Sequence, residues 1–224
     1  MITVEINDAY KEIKGNVILN HVNMQLKSGH IYGFWGKNAS GKTMLFRAIT
    51  GLIYLNHGEI KVFGQTIGKD TDYPNDLGLI IENIGLWNDY TGFENLKLLA
   101  SINNKINDEE IKNTLSRVGL DPDDKRKYKK YSLGMKQKLA IAQAIMEKPK
   151  LLVLDEPTNA LDEESCKNVR NILVEQKERG ATVLIASHNR DDIDALADEI
   201  YQVSSGKVSI MNNEKAGSKN ENES

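Results

Sequence analysis

The sequence holds a single cysteine, Cys166, among 224 residues, so no intramolecular disulfide can form and the chain reads as one suited to a reducing cytoplasm. It has no long apolar run: stretches such as Leu151–Leu154 fall far short of the roughly 20 residues a membrane-spanning helix needs. A self-contained helical membrane transporter is thereby excluded. No secretory leader is read at the start, where Met1–Asn7 alternates Ile2, Val4 and Ile6 with polar residues. Nor is there an excess of one charge. The 29 basic and 32 acidic residues leave a net charge of −3, which exerts no overall pull toward nucleic acid. What remains is ordinary globular composition, 40% hydrophobic and 27% charged, with a mean hydropathy of −0.46. A chain of this length buries roughly 70–75% of its unfolded surface and needs no disulfide or metal staple. One domain or two small lobes with a catalytic or regulatory task are expected.

Patterning divides the chain into three parts. Ile2–Ile6 and Val22–Leu26 alternate with period two, as half-buried strands do, and Ile31–Trp35 is apolar throughout, as a strand covered on both faces is. Met44–Ile49 has helical character with Gly51 as its stop, and Gly58–Gly64 is a further strand. The middle is helical. Glu94–Asn103 and Asp108–Val118 carry helical spacing, the second behind the polar cap of Asn107, and a third helix runs from near Leu133 to Glu147, ahead of Pro149. Between them Asp121–Lys130 is a charged connector with a basic end, ordinarily a solvated face. In the last third the apolar strands Leu151–Leu154 and Thr182–Ala186 flank a helix over Glu163–Glu178, capped by Gly180. Alternation of this kind specifies a parallel sheet covered on both sides. Residues 212–224 are polar and are expected to be disordered.

Two motifs carry chemistry. Gly36-Lys37-Asn38-Ala39-Ser40-Gly41-Lys42-Thr43 fits G-x-x-x-x-G-K-[ST], which chance produces in such a chain about once in a hundred. A strand precedes it and a helix follows, as a phosphate-binding loop requires. Glycines let successive backbone N–H groups curl around phosphate oxygens at the positive end of a helix. Lys42 is placed to neutralise the β and γ phosphates, and the Thr43 hydroxyl to hold Mg²⁺. After the buried strand Leu151–Leu154, Asp155 can reach that Mg²⁺ and Glu156 can orient or deprotonate an attacking water. Residue chemistry alone therefore reaches a hydrolytic P-loop NTPase.

Further motifs resemble a narrower group. Tyr131-Ser132-Leu133-Gly134-Met135-Lys136-Gln137 stands where ATP-binding cassette (ABC) proteins carry their signature, usually Leu-Ser-Gly-Gly-Gln. Leu154-Asp155-Glu156-Pro157-Thr158-Asn159-Ala160-Leu161-Asp162 is similar to their Walker B strand and D-loop, and Ala186-Ser187-His188 to their switch histidine. Leu77–Glu82 occupies the place of the Q-loop, with Glu82 where glutamine is usual. With Glu94-Asn95-Leu96, this resembles the ATPase subunits of bacitracin-resistance and lantibiotic-immunity exporters. Leu133 and Met135 depart from the signature while Ser132 and Gly134 are kept, and Ala39 replaces a glycine, tolerable if its φ stays negative. For the aromatic that stacks on adenine, a gapless reading gives Ile13, and Tyr10 serves if the loop is about three residues longer.

The resemblance implies a P-loop NTPase α/β fold over residues 1–211: a parallel core sheet, an N-terminal antiparallel β subdomain and a helical subdomain inserted at about 83–148. It implies an ATPase that binds ATP and Mg²⁺ through Thr43, Asp155 and Glu82, with Lys42, Glu156 and His188 catalytic. Two cassettes would close head to tail, Ser132, Gly134 and Met135 acting in trans on the partner's nucleotide. The partner is a second copy or a homologous cassette, together with a separate transmembrane permease that holds the chain at the inner face of the cell membrane. Trp87 and Tyr90, in the 82–130 stretch, either anchor that permease or pack the helical lobe. The cargo is expected to be an exported peptide, antibiotic or other small amphipathic solute. The alternatives are a soluble, non-transport ABC ATPase and an ATP-binding switch with little hydrolysis. His21, His30 and His57 have no carboxylate or cysteine spacing and read as structural or surface residues.

Overall fold

The computed structural model describes residues 1–82 and 85–211; the polar tail, 212–224, lies outside the described residues. The chain opens with a hairpin of two long strands, β1 (Ile2–Ile13) and β2 (Asn16–Lys27), of which alternation marks only the outer half of each. The reason is local. The pairing shifts register between Ile6 and Ala9 and again toward Glu12, and Asp8 and His21 adopt left-handed φ of 53° and 55°. Such irregularities break period-two patterning without ending a strand. They also bring both imidazoles to one carboxylate: His21 Nδ1 lies 2.7 Å from Asp8 Oδ1 and His57 Nε2 3.4 Å from Asp8 Oδ2, a cross-strand pairing that linear spacing does not reveal.

β1 continues into a four-stranded antiparallel sheet of order β2-β1-β4-β5, with β4 spanning His57–Val62 and β5 Gln65–Thr66. The second sheet has six strands in the order β10-β9-β3-β8-β7-β6. Its members are β3 (Ile31–Trp35), β6 (Leu77–Ile80), β7 (Leu151–Asp155), β8 (Thr182–Ser187), β9 (Glu199–Ser204) and β10 (Lys207–Met211). All run parallel except β10, which turns back on β9.

Residues of the central strands divide alternately between two cores, which is why they read as unbroken apolar runs. Leu152 and Leu154 of β7, with Val183 and Ile185 of β8, pack under α4 (Leu133–Ile145) and α5 (Glu163–Glu178). Leu151, Val153, Leu184 and Ala186 face the other way, onto α1 (Lys42–Ile49) and the antiparallel hairpin. Each fully buried aliphatic contributes about 1.5–3 kcal/mol, so both layers are held firmly to the sheet.

Between β6 and β7 the chain makes α2 (Gly92–Asn103), α3 (Asp108–Arg117), a 3-10 turn (Tyr128–Lys130) and α4. Thr91 with Glu94 and Asn107 with Glu110 form capping boxes that start α2 and α3 at defined residues. The Ser132 hydroxyl accepts the Met135 amide at 3.2 Å and caps α4. A short α6 (Arg190–Asp194), with β9 and β10, completes the chain. These last three elements carry no clear periodic signal. No helix is long and apolar enough to cross a membrane among the described residues.

Candidate nucleotide site

The carboxyl ends of β3, β7 and β8 meet at one edge of the parallel sheet, and the loops that leave them build the site. The loop after β3 wraps the start of α1. Gly36 is required there because a Cβ would stand 2.3 Å from the Val203 carbonyl oxygen. Gly41, at the helix N-cap, has φ 113°. Ala39 also lies in the left-handed region, at φ 62°, so the expectation of a negative φ is corrected: the loop keeps its glycine-type turn and imposes it on alanine. Lys42 is only 6% exposed, and its ammonium donates to the Gly36 carbonyl at 2.7 Å and the Lys37 carbonyl at 3.2 Å. The Ser40 hydroxyl is buried with no partner among the described residues. A concave backbone with a sequestered cation and an orphaned hydroxyl is a site prepared for an anion.

The cavity in front of this loop measures about 360 Å³ and is bounded by Asn38–Met44, Asp155, Glu156, Val17, Ile18, Ser205 and Gly206. The turn between β9 and β10 closes one side, with the Gly206 amide donating to the Ser40 carbonyl at 3.0 Å and the Gly206 carbonyl accepting the Asn20 amide at 2.9 Å. Val17, Ile18, Ser205 and Gly206 belong to no motif, and sequence reasoning missed them. The only signal among them is Val17, an exposed aliphatic at the hairpin tip. Tyr10 and Ile13 do not line this cavity. The Tyr10 hydroxyl donates to Glu12 at 3.0 Å and its ring lies 5.2 Å from that of His21, while Ile13 pairs with Asn16 at the turn.

Thr43 donates to Asp155 at 2.5 Å, joining the phosphate loop to the end of β7. Burial pushes the Asp155 carboxyl above its ordinary value; the Thr43 hydrogen bond opposes this, while the neighbouring Glu156 adds to it. A hydroxyl and a carboxylate side by side at a phosphate loop are the hard oxygen ligands Mg²⁺ takes, so these residues fit that ion.

Glu156 is held in a left-handed turn, φ 50°, with its amide donating to Ala186 at 2.9 Å. Its carboxylate receives the His188 amide at 2.9 Å and the Ser187 hydroxyl at 3.3 Å, and the His188 Nδ1 lies 2.9 Å away. The left-handed backbone and these three contacts hold the carboxylate in one orientation beside His188. Gln137 of α4, which sequence reasoning gave no role, donates to the carbonyls of Glu156 and Pro157 at 3.3 and 2.9 Å.

A family profile described as ABC transporter matches residues 19–159. YybJ of Bacillus subtilis (strain 168), an uncharacterized ABC transporter ATP-binding protein, is 45% identical over 205 residues, covering 92% of this chain and 94% of that one. The chain belongs to the ABC transporter family.

The cassette is also 37% identical to BcrA of Bacillus licheniformis, a bacitracin transport ATP-binding protein, over 92% of this chain and 68% of that one. It is 35% identical to SrtF of Streptococcus pyogenes, a lantibiotic transport ATP-binding protein, over 97% and 93%. Among solved structures, an ATP-binding subunit of an ABC transporter superposes with a TM-score of 0.83 at 25% identity, covering 92% of this chain and 88% of that one. A dimeric cassette bound to ADP and Pi shares the fold, with a TM-score of 0.81 at 22% identity over 92% of this chain and 96% of that one. As an ABC cassette the protein is an ATPase of a family that binds nucleotide.

The remaining residues of the cassette's motifs stand apart from that cavity. Ser132, Gly134 and Met135 lie at the start of α4, and none of them lines the cavity. Leu133 beside them is 67% exposed. Gly134 faces the D-loop, where a Cβ would stand 3.1 Å from the Ala160 carbonyl oxygen. Glu82 does not touch Thr43 or Asp155. Its carboxylate pairs at 2.8 Å with Arg47 from the last turn of α1.

Proposed function

We propose that this chain is one of two ATP-hydrolysing motor halves of an exporter, each half supplying a different part of the other's site. The observation that carries this is a division: Lys42, Thr43, Asp155 and Glu156 line one cavity at the edge of the sheet, with His188 against Glu156, while Ser132 and Gly134 sit at an exposed helix start that does not reach that cavity. Head-to-tail association of two copies would bring each signature onto the partner's phosphates, and a cassette of the same fold is dimeric with ADP and Pi bound.

In that arrangement the loop amides and Lys42 hold the phosphates, with Lys42 exchanging its backbone carbonyl partners for anionic oxygen. Mg²⁺ held by Thr43 and Asp155 would supply neutralisation of phosphate charge. Glu156 orients the water and accepts its proton, and His188 holds the carboxylate in place from the end of β8. The signature hydroxyl and helix start add donors to the γ-phosphate that ADP does not offer, so ATP favours the closed dimer and hydrolysis releases it. Glu82 reaches the metal or its water only by leaving Arg47.

Trp87 and Tyr90 favour the permease-docking role. Both are exposed, with rings 6.4 Å apart, while the neighbouring Leu86 fills the helical core. The basic run is partly neutralised, Lys127 by Glu94 and Lys129 by Asp89, which suits a solvated face better than a lipid contact. The loop holding the two aromatics bonds directly to the segment before the signature, Tyr128 to Tyr90 at 2.8 Å and Lys129 to Asn88 at 3.1 Å. A permease seated on Trp87 and Tyr90 would hold the cassette at the inner membrane face, and its motion would reach Ser132. Relatives named for bacitracin and lantibiotic transport support a peptide or other amphipathic cargo.

Purification of the tagged chain from solubilised membranes should recover one multi-span protein. Recovery of ribosomes in its place would favour a soluble, non-transport ATPase. In the purified complex Lys42→Ala should lower ATP turnover at least about 100-fold, and turnover near that of the unaltered chain would overturn the phosphate-loop assignment.

A further inference from the structure

The catalytic pair Glu156 and His188 lies on two loops, and beyond their own contact a second link joins these loops about one helical turn away. Thr158, buried two residues after Glu156, donates its hydroxyl to Asp192 Oδ2 at 2.9 Å. Asp192 lies in α6, four residues after His188. Its other oxygen receives Arg170 of α5 at 2.5 Å, and the Asp192 side chain is 16% exposed. Arg170 Nε is buried with no acceptor among the described residues. The rest of the guanidinium is part-exposed, at 32% for the side chain, so one buried, unpartnered nitrogen is the local cost of keeping this cation beside Asp192. One charge-assisted hydrogen bond from Arg170 anchors a single oxygen of the carboxylate, whose other oxygen accepts Thr158.

We propose that Thr158, Asp192 and Arg170 form a brace of positioning residues that holds the D-loop start and the switch-histidine segment in one register, and so sets the placement of Glu156 against His188. The role rests on the ATPase mechanism above, but the brace itself is a property of the free chain. Glu156 and Ala160 both occupy left-handed backbone, at φ 50° and 64°, so the turn between them needs holding from outside. Gln137 and the Glu156 amide hold the start of the turn, so loss of the Thr158 anchor loosens the residues that follow and lets the carboxylate shift. Misplacement by about 1 Å is enough to cost catalysis on the order of 100-fold.

The single cysteine supplies a probe. Cys166 Sγ lies 3.8 Å from the Thr158 carbonyl oxygen and 3.9 Å from that of Leu161, half-buried beneath the braced segment. Thiol labelling of the full chain without nucleotide therefore reads the segment's opening. Rates should be compared across a pH series, because burial pushes the thiol up and the charges of Asp192 and Arg170 then act on it in opposite directions. Thr158→Val removes the hydroxyl and keeps shape and charge; Thr158→Ser keeps the hydroxyl.

The brace predicts that Thr158→Val speeds labelling at least about threefold and lowers kcat at least about tenfold, with KM for ATP within about twofold. Thr158→Ser should match the unaltered chain in both, and Asp192→Ala should follow Thr158→Val. Unchanged labelling and kcat in Thr158→Val would overturn the brace. Faster labelling with unchanged kcat would overturn its positioning role, and so would slower catalysis with unchanged labelling, which would point to direct action of the hydroxyl. If the unaltered chain shows no turnover, the ATPase mechanism fails, and labelling still decides whether the brace exists.

Discussion

Two side chains at the phosphate edge of the sheet are kept in conditions unfavourable to the free protein. Ala39 stands at φ 62°, where an L-residue with a Cβ is disfavoured by about 1–2 kcal/mol. Ala39→Gly should therefore raise stability by roughly 0.5–1 kcal/mol in denaturant unfolding, the relief of the native turn outweighing the looser unfolded chain. A loss of stability would show that the methyl group packs usefully. Asp155 is the second. Burial raises its folded pKa above the unfolded value, so the folded state binds this proton more tightly. That contribution is fully present below the unfolded pKa of about 3.9 and is lost as pH rises through the raised folded value. At neutral pH the ionised carboxylate is thus a burden, and Asp155→Asn keeps the acceptor for Thr43 without the charge. Its Tm without nucleotide should rise by a few degrees, about 2–4 °C per kcal/mol gained, while the stabilisation that Mg-ATP gives the unaltered chain disappears. An Asp155→Asn chain still stabilised by Mg-ATP would contradict the role given to Asp155. The motif residues are legible because each depends on spacing along the chain. Val17, Asp192 and Arg170 are not, nor is the contact that Thr158 of the D-loop motif makes with Asp192, since these depend on proximity across strands and loops.

At the scale of elements, periodicity locates those with one clear environment. The strands at Ile31 and Leu151, and the helix over Glu163–Glu178, stand where the pattern places them, because burial on two faces or one leaves an unmixed signal. The hairpin is half hidden by bulges, and α6 with β9 and β10 by shortness and mixed composition. Close packing of helix on strand fixes the helical lobe. A Cβ at Gly78 of β6 would stand 2.0 Å from the Ala144 carbonyl oxygen of α4, a backbone contact with no side chain to yield. Gly78→Ala should cost about 1–3 kcal/mol, read as a lower midpoint in urea. Because α4 begins just after Ser132, displacement of that helix should also weaken ATP-driven association of the Gly78→Ala chain. Unchanged stability would mean that α4 is less firmly seated than the contact implies.

A chain with one cysteine, balanced charge and no membrane-spanning helix among its described residues is an ABC cassette in which Lys42, Thr43, Asp155, Glu156 and His188 gather at one sheet edge while Ser132 stands exposed at a helix start. Glu156→Gln removes the carboxylate proposed to accept the water's proton while leaving a side chain of the same size, so nucleotide should bind and remain uncleaved. Size-exclusion chromatography with light scattering on Glu156→Gln in Mg-ATP therefore tests the composite site most directly. The account predicts a dimer in Mg-ATP that reverts to monomer in Mg-ADP and is lost when Ser132→Ala is added. A chain that binds Mg-ATP yet stays monomeric at every concentration would contradict it.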